Sequence, residues 1–166
     1  MIQRIQSVFL FLLVLAMVSM FFIDIWSKTD TTSGQTVVLS AFSLDTHFLN
    51  DQGETTNTGA TPSQGSIAIG LLAIIAAVIA LYEIFQFKNR LTQMKLGLFN
   101  TLVLVALFGT TFYQANYIAN DLVASDVAGT YEPGFYMPVL ALLLNALANR
   151  FIKRDEDLVR SVDRLR

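Results

Sequence analysis

Residues 5–23 carry no charged side chain, and that run limits what the chain can become more than any other feature. A helix of about 20 residues, rising ~1.5 Å per residue, covers the ~30 Å hydrocarbon core of a bilayer. A soluble fold of 166 residues would have to enclose such a run, yet 54% of the chain is apolar and only 14% is charged. Small domains leave too much of their surface wet to hide that excess. The mean hydropathy of +0.54 agrees. The chain reads as an integral membrane protein.

The first span is expected over residues 5–26. Arg4 ahead of the run imitates the start of a signal peptide. The apolar stretch outlasts an ordinary signal core, however, and Met20, Phe21 and Phe22 make a poor cleavage context, so the run reads as an uncleaved anchor. Trp26 at its far end suits the headgroup boundary. Residues 67–87 form a second span, uncharged until Glu83, and residues 96–117 a third, uncharged throughout. Residues 134–152 form a fourth, which carries Pro138, Asn145 and Asn149. Pro138 falls in the first turns, where a missing N–H does least harm.

Two connections face one side, residues 28–65 and residues 118–133. In the first, residues 35–44 include Thr36, Val37, Val38, Leu39 and Phe42, which favour β structure, and residues 45–49 supply a partner strand. Residues 50–63 read as turn-rich. The tail, residues 153–166, pairs Lys153 with Asp157 and Glu156 with Arg160 at i,i+4 and places Leu158, Val162 and Leu165 on one stripe. It is expected to continue the fourth span as an amphipathic helix.

Basic residues set the orientation. Arg4, Lys88, Arg90, Lys95, Arg150, Lys153, Arg154, Arg160, Arg164 and Arg166, ten of the eleven, fall on one side of the four spans, and only Lys28 on the other. Basic segments resist translocation, so the ten belong in the cytoplasm and both long connections face outward. The expected fold is an all-α membrane protein, one domain over residues 1–166. It is a four-transmembrane-helix bundle with both termini cytoplasmic and a small β-hairpin in the first outer loop.

Chemistry is sparse. The chain has no cysteine and one histidine, His47, which removes thiolate sites and makes imidazole-based zinc or haem sites unsuitable. No phosphate-binding glycine loop, Ser-His-Asp set or HExxH run occurs, so no catalytic, cofactor or metal residues are assigned and no nucleic-acid partner is expected. Asp24, at the outer end of the first span, reads as an ordinary interfacial charge, which leaves Glu83 in the second span as the carboxylate of interest. Glu83 reads either as a proton or cation site, with Lys88, Arg90 or Arg150 as counter-charge, or as an interfacial carboxylate. Asn145 and Asn149 are candidates for the same site, or for hydrogen bonds between helices worth ~0.6–2 kcal/mol each. Gly70, Ala73, Ala77 and Ala80 share one helix face, and Ala141, Asn145 and Ala148 another, which lets backbones approach closely. His47 beside Asp45 reads as surface structure.

The opening MIQRIQS, residues 1–7, and the closing KRDEDLVRSVDRLR, residues 153–166, resemble a family of small four-helix inner-membrane proteins from Bacteroidetes, a domain of unknown function. The resemblance implies a bacterial cytoplasmic-membrane location and carries over no catalytic or binding residue by position. The leading expectation is a non-enzymatic structural or accessory component of a cell-envelope assembly. Its partners would be the bilayer and other membrane or envelope proteins, a second copy included. The tail residues Leu158, Arg160, Val162, Arg164 and Leu165 are the docking candidates. The alternatives are a small transporter or channel subunit using Glu83, and a membrane enzyme acting on lipid or envelope precursors through Asp45, Asp121 or Asp126.

Overall fold

The computed structural model describes the backbone of residues 3–30, 34–49, 55–61, 64–86, 89–122 and 127–163, and the side chains of residues 5–30, 34–47, 66–86, 89–122 and 127–158. Four helices, α1 (Gln3–Ser19), α2 (Gln64–Phe85), α3 (Arg90–Tyr113) and α4 (Pro133–Asp163), account for most of it. Each helix packs on its neighbours in sequence, and α1 closes the ring against α4. Phe9 stacks on Phe151 with ring centroids 5.5 Å apart. The start of α1 therefore lies beside the late part of α4, as an antiparallel bundle requires.

Interior positions recur every three or four residues. On α2 they are Ile69, Ala73, Ala76, Ala77 and Ala80, the small-residue stripe visible in the sequence. On α4 they are Ala141, Leu144, Asn145, Ala148 and Ile152. Such stripes bring backbones close where lipid gives no hydrophobic drive between helices. The outward faces are also apolar, with Phe11, Leu71, Val78, Leu102 and Leu143 exposed. A chain that is apolar on both faces of its helices suits lipid better than water. Three helical segments, Ser66–Phe85, Arg90–Leu122 and Pro133–Leu158, are long and apolar enough to cross a membrane, while Ile5–Ser19 is apolar but shorter.

One end of the bundle carries an antiparallel sheet. Its strands are β1 (Trp26–Thr29), β2 (Gln35–Leu39), β3 (Leu44–Leu49), β4 (Thr55–Thr61) and β5 (Thr130–Tyr131), in the order β4-β3-β2-β1-β5. The β2–β3 pair is the hairpin expected from sequence, registered with Val37 opposite Thr46 and Leu39 opposite Leu44. The sheet sits on the bundle through Phe42, which stacks on Phe21 at 5.2 Å and fills the space beside Gly70. The Phe42 carbonyl also accepts from the Ser66 hydroxyl at 3.1 Å.

Several elements differ from the sequence reading. The run read as one span over residues 5–26 is helical only to Ser19. There the Ser19 hydroxyl turns back to the Ala16 carbonyl, and the N–H groups of Phe21 and Phe22 make tight bonds three residues back. Trp26 lies beyond the helix rather than at its end. It is 2% exposed, in a strand flanked by β2 and β5, with its indole against Gly129. Residues 50–63, read as turns, contain β4. The third helix starts earlier than residue 96 and continues past Tyr113 as a π-helical turn, Gln114–Ala119, and a 3-10 turn, Asn120–Leu122. As expected from sequence, by contrast, the fourth span and the tail form one helix to Asp163, while Arg164 and Leu165 lie outside the described residues.

Lys28, alone on the sheet side in the charge count, is only 4% exposed. Its ammonium donates to the Asn120 side-chain oxygen at 2.9 Å and to the Asn120 carbonyl at 3.4 Å. A cation at the carbonyl end of a helix is favourable, and this one ties β1 to the end of α3.

Candidate functional site

The interior faces of the four helices change character along the bundle. Across the middle they are apolar, with Met17, Ala73, Leu104, Leu107 and Ala141 buried, and at the sheet end Ser66, Thr111 and Gln114 are buried polar residues. Toward the other end the same faces carry Gln6 on α1, Glu83 on α2, Gln93 and Asn100 on α3, and Asn145 on α4, all buried. Helical spacing explains the gathering. Glu83 follows Ala80 by three residues on the small-residue stripe of α2, and Gln93, Gly97, Asn100 and Leu104 follow one another on the buried face of α3. Asn100 lies ~15 Å from the start of α3, so the polar zone takes up roughly the first 15 Å of that helix.

The hydrogen bonds separate two functions within this zone. Asn145 is fastened, since its amide nitrogen donates to the Gly97 carbonyl and to the Thr101 hydroxyl, both at 2.9 Å. Thr101 in turn donates to the Gly97 carbonyl at 2.9 Å. Asn149 lies directly on Gly97, where a Cβ would run into its carboxamide. This side of the zone joins α3 to α4 in the way expected of polar groups between membrane helices.

Glu83 differs. It is 0% exposed, and neither carboxyl oxygen has a hydrogen-bond partner. Its backbone carbonyl accepts from the Gln93 amide at 3.3 Å, which leaves the Gln93 side-chain oxygen unpaired as well. Among the described residues this half of the bundle holds seven unpaired buried oxygens, on Gln6, Glu83 (two), Gln93, Asn100, Asn145 and Asn149, against one unpaired N–H group, on Asn100. Oxygen acceptors in such excess suit a proton or a hard cation, and a buried carboxyl without a partner is costly to fold around. The counter-charges named from sequence lie elsewhere. Arg90 donates to the Asp155 carbonyl at 2.8 Å, Arg150 lines a groove on the outer surface between α3 and α4, and Lys88 is outside the described residues. Gln6 and Gln93 were not singled out in the sequence, because Gln6 is an uncharged polar residue at the very start of the first span and Gln93 falls in what read as a cytoplasmic connection. The spacing from Gln93 to Gly97, Asn100 and Leu104 was the signal that could have found Gln93.

The other candidates stay apart. Asp45 accepts from the Ser43 hydroxyl at 2.9 Å, Asp121 is exposed, and Asp126 is outside the described residues. His47 lies in β3 opposite Thr36. Among the described residues no three of His, Asp or Glu gather where they could hold a metal ion. Leu158 is exposed near the end of α4. Arg160 and Val162 are in the helix, but their side chains lie outside the description.

A ring of four helices with lipid-compatible outer faces, a sheet at one end and a polar interior at the other defines the class, a small helical protein with three helices long and apolar enough to cross a membrane. The chain belongs to the family described as Domain of unknown function (DUF4293), whose model matches residues 2–165. Among curated proteins none matches it.

Proposed function

We propose that the protein crosses the bacterial cytoplasmic membrane four times, with both termini in the cytoplasm, and serves as a non-enzymatic structural or accessory component of a cell-envelope assembly. The closed ring supports the fourth crossing. Helix α1 touches both α2 and α4, so it shares their slab, and its 17 residues reach ~26 Å before the turn at residues 20–22 adds to them. The ten-to-one basic asymmetry supports the orientation.

The observation that carries the accessory function is the length of α4. Its 31 residues extend ~46 Å, and the stretch after Asp155, residues 156–163, makes up ~12 Å of that. The bond from Arg90 to the Asp155 carbonyl marks a late tie to the bundle. Beyond it the helix carries alternating charge and the apolar stripe begun by the exposed Leu158, a surface suited to a protein contact. Chemical crosslinking of the membrane-embedded protein is expected to capture a partner or a second copy. Truncation after residue 155 should abolish the adduct while leaving the melting temperature of the purified protein within ~2 °C. A full-length protein that yields only monomer would refute the proposal.

A second reading, a subunit that moves protons or cations through Glu83, is favoured by the two unpaired carboxyl oxygens. The apolar layer at Ala73, Leu104 and Leu107 opposes it, because a conducting path would have to cross that layer. Under this reading Glu83→Gln abolishes cation-dependent flux in proteoliposomes. Under the accessory reading wild-type vesicles show no flux above empty ones.

A further inference from the structure

Outside the polar interior, α3 and α4 enclose a groove of about 360 Å³ lined by Met94, Leu98, Ala146, Asn149, Arg150 and Lys153. Its composition is graded along the bundle axis. Ala146 and Leu98 lie toward the sheet, Arg150 follows Ala146 by one turn, and Lys153 follows Asn149 by one turn. Counted from Pro133, Arg150 lies ~26 Å and Lys153 ~30 Å along α4, which puts the two cations at the inner edge of a ~30 Å hydrocarbon core with the apolar walls inside it. Leu98 and Ala146 are exposed on the outer surface of the bundle, so the groove opens to the surrounding leaflet. Beside it, Asn149 packs directly on Gly97.

Both Arg150 and Lys153 are exposed at the groove. The carboxylates nearest in sequence, Asp155, Glu156 and Asp157, follow Lys153 along α4 away from the apolar walls, and Lys95 beside Met94 adds a third positive charge nearby. We propose that this groove is a binding site for an anionic glycerophospholipid of the inner leaflet, its phosphate held between Arg150 and Lys153 and an acyl chain laid along Met94, Leu98 and Ala146. Charge complementarity selects this occupant. Two cations at the headgroup plane attract a net-negative headgroup, and a guanidinium can bind phosphate oxygens in pairs. A zwitterionic lipid brings its own ammonium and gains far less, and a free anion gains nothing from the apolar walls.

The proposal rests on α3 and α4 crossing the membrane, which retention of the protein in membranes after an alkaline wash tests separately. For the site itself, the purified full-length protein is titrated in mild detergent with phosphatidylglycerol, phosphatidylcholine or inorganic phosphate, and bound lipid is read by native mass spectrometry. Wild type is expected to hold one phosphatidylglycerol in preference to phosphatidylcholine. The double substitution Arg150→Gln/Lys153→Gln should weaken phosphatidylglycerol binding roughly ten- to thirtyfold, at ~1 kcal/mol per basic residue, without changing phosphatidylcholine binding. Ala146→Phe, which fills the apolar half and keeps both cations, should weaken it independently and guards against a misfolded double variant. Equal binding of the two lipids, wild-type affinity in both variants, or full competition by inorganic phosphate would overturn the assignment.

Discussion

Glu83→Leu is expected to raise the stability of the purified protein by about 1–3 kcal/mol, a gain of several degrees in melting temperature for a chain of this size. The side chain is fully buried, both carboxyl oxygens lack partners, and its neighbours on the α2 stripe are Ala76, Ala77 and Ala80. Leucine removes a carboxyl that the fold does not satisfy and adds a branched apolar group near the α2–α3 connection. A buried ionisable group exchanged for an apolar one of similar volume is often neutral or stabilising. Glu83→Gln should change stability less, because the amide still needs partners and brings two donors to a zone rich in unpaired oxygens. Thermal unfolding of the three proteins, followed by loss of the monodisperse peak on size exclusion, checks the order Leu above Gln above or equal to wild type. A fall of 1–3 kcal/mol with leucine would mean that the carboxyl is held by a bound proton, cation or water network. That result would favour the second functional reading.

The helical part of the fold was legible because lipid imposes a simple rule. A segment without charge over ~20 residues must satisfy its backbone internally, and a helix does so. Hence α2, α3 and α4 are read from sequence within a few residues of their cores. The sheet was less legible. The β2–β3 hairpin shows in the run from Thr36 to Phe42, but β1 hides at the end of an apolar run, where Trp26 looks the same as a headgroup-boundary aromatic. β4 is composed of Thr, Asn, Gly and Ala, and its pairing comes from the edge that β3 offers rather than from its own propensity. β5 has two residues, too few to form a pattern.

For the site, sequence identified the individual side chains without showing how they are partnered. Glu83 was visible as a carboxylate in a span, and Asn145 as a deep amide. That Asn145 is tied to Gly97 and Thr101, while Glu83 is left without a donor, depends on how α2, α3 and α4 rotate about their axes. The small residues permit that rotation without specifying it. The same holds for Lys28. In sequence it is a loop cation, and only the return of α3 through its π-helical turn brings Asn120 to it.

Gly134→Ala is expected to cost ~2–4 kcal/mol and to detach the sheet from the top of α4. The Gly134 N–H donates to the Asp24 carbonyl at 3.1 Å, and a Cβ on this glycine would lie 2.5 Å from that carbonyl oxygen and 3.0 Å from the carbonyl oxygen of Ile23. Both obstacles are backbone, so no rotamer change relieves them. The first turn of α4 must move away from the chain that enters β1. That chain also accepts at the Ile25 carbonyl from the Glu132 N–H at 3.0 Å and donates from the Ser27 hydroxyl to the Glu132 carboxylate at 2.8 Å. The same substitution therefore strains three ties between β1 and the segment carrying β5. The readout is built into the molecule. Trp26, the single tryptophan, is buried between these elements, so a red-shifted emission at temperatures where the helical signal is intact would report separation of the sheet before the bundle melts. Gly109→Ala is the matched control. Gly109 lies in α3 with nothing within 4 Å of its added Cβ, and alanine there should stabilise by up to ~1 kcal/mol through helix propensity with no shift in emission. If the two alanine substitutions behave alike, the close approach of α4 to the Asp24 carbonyl is not what holds the sheet to the bundle.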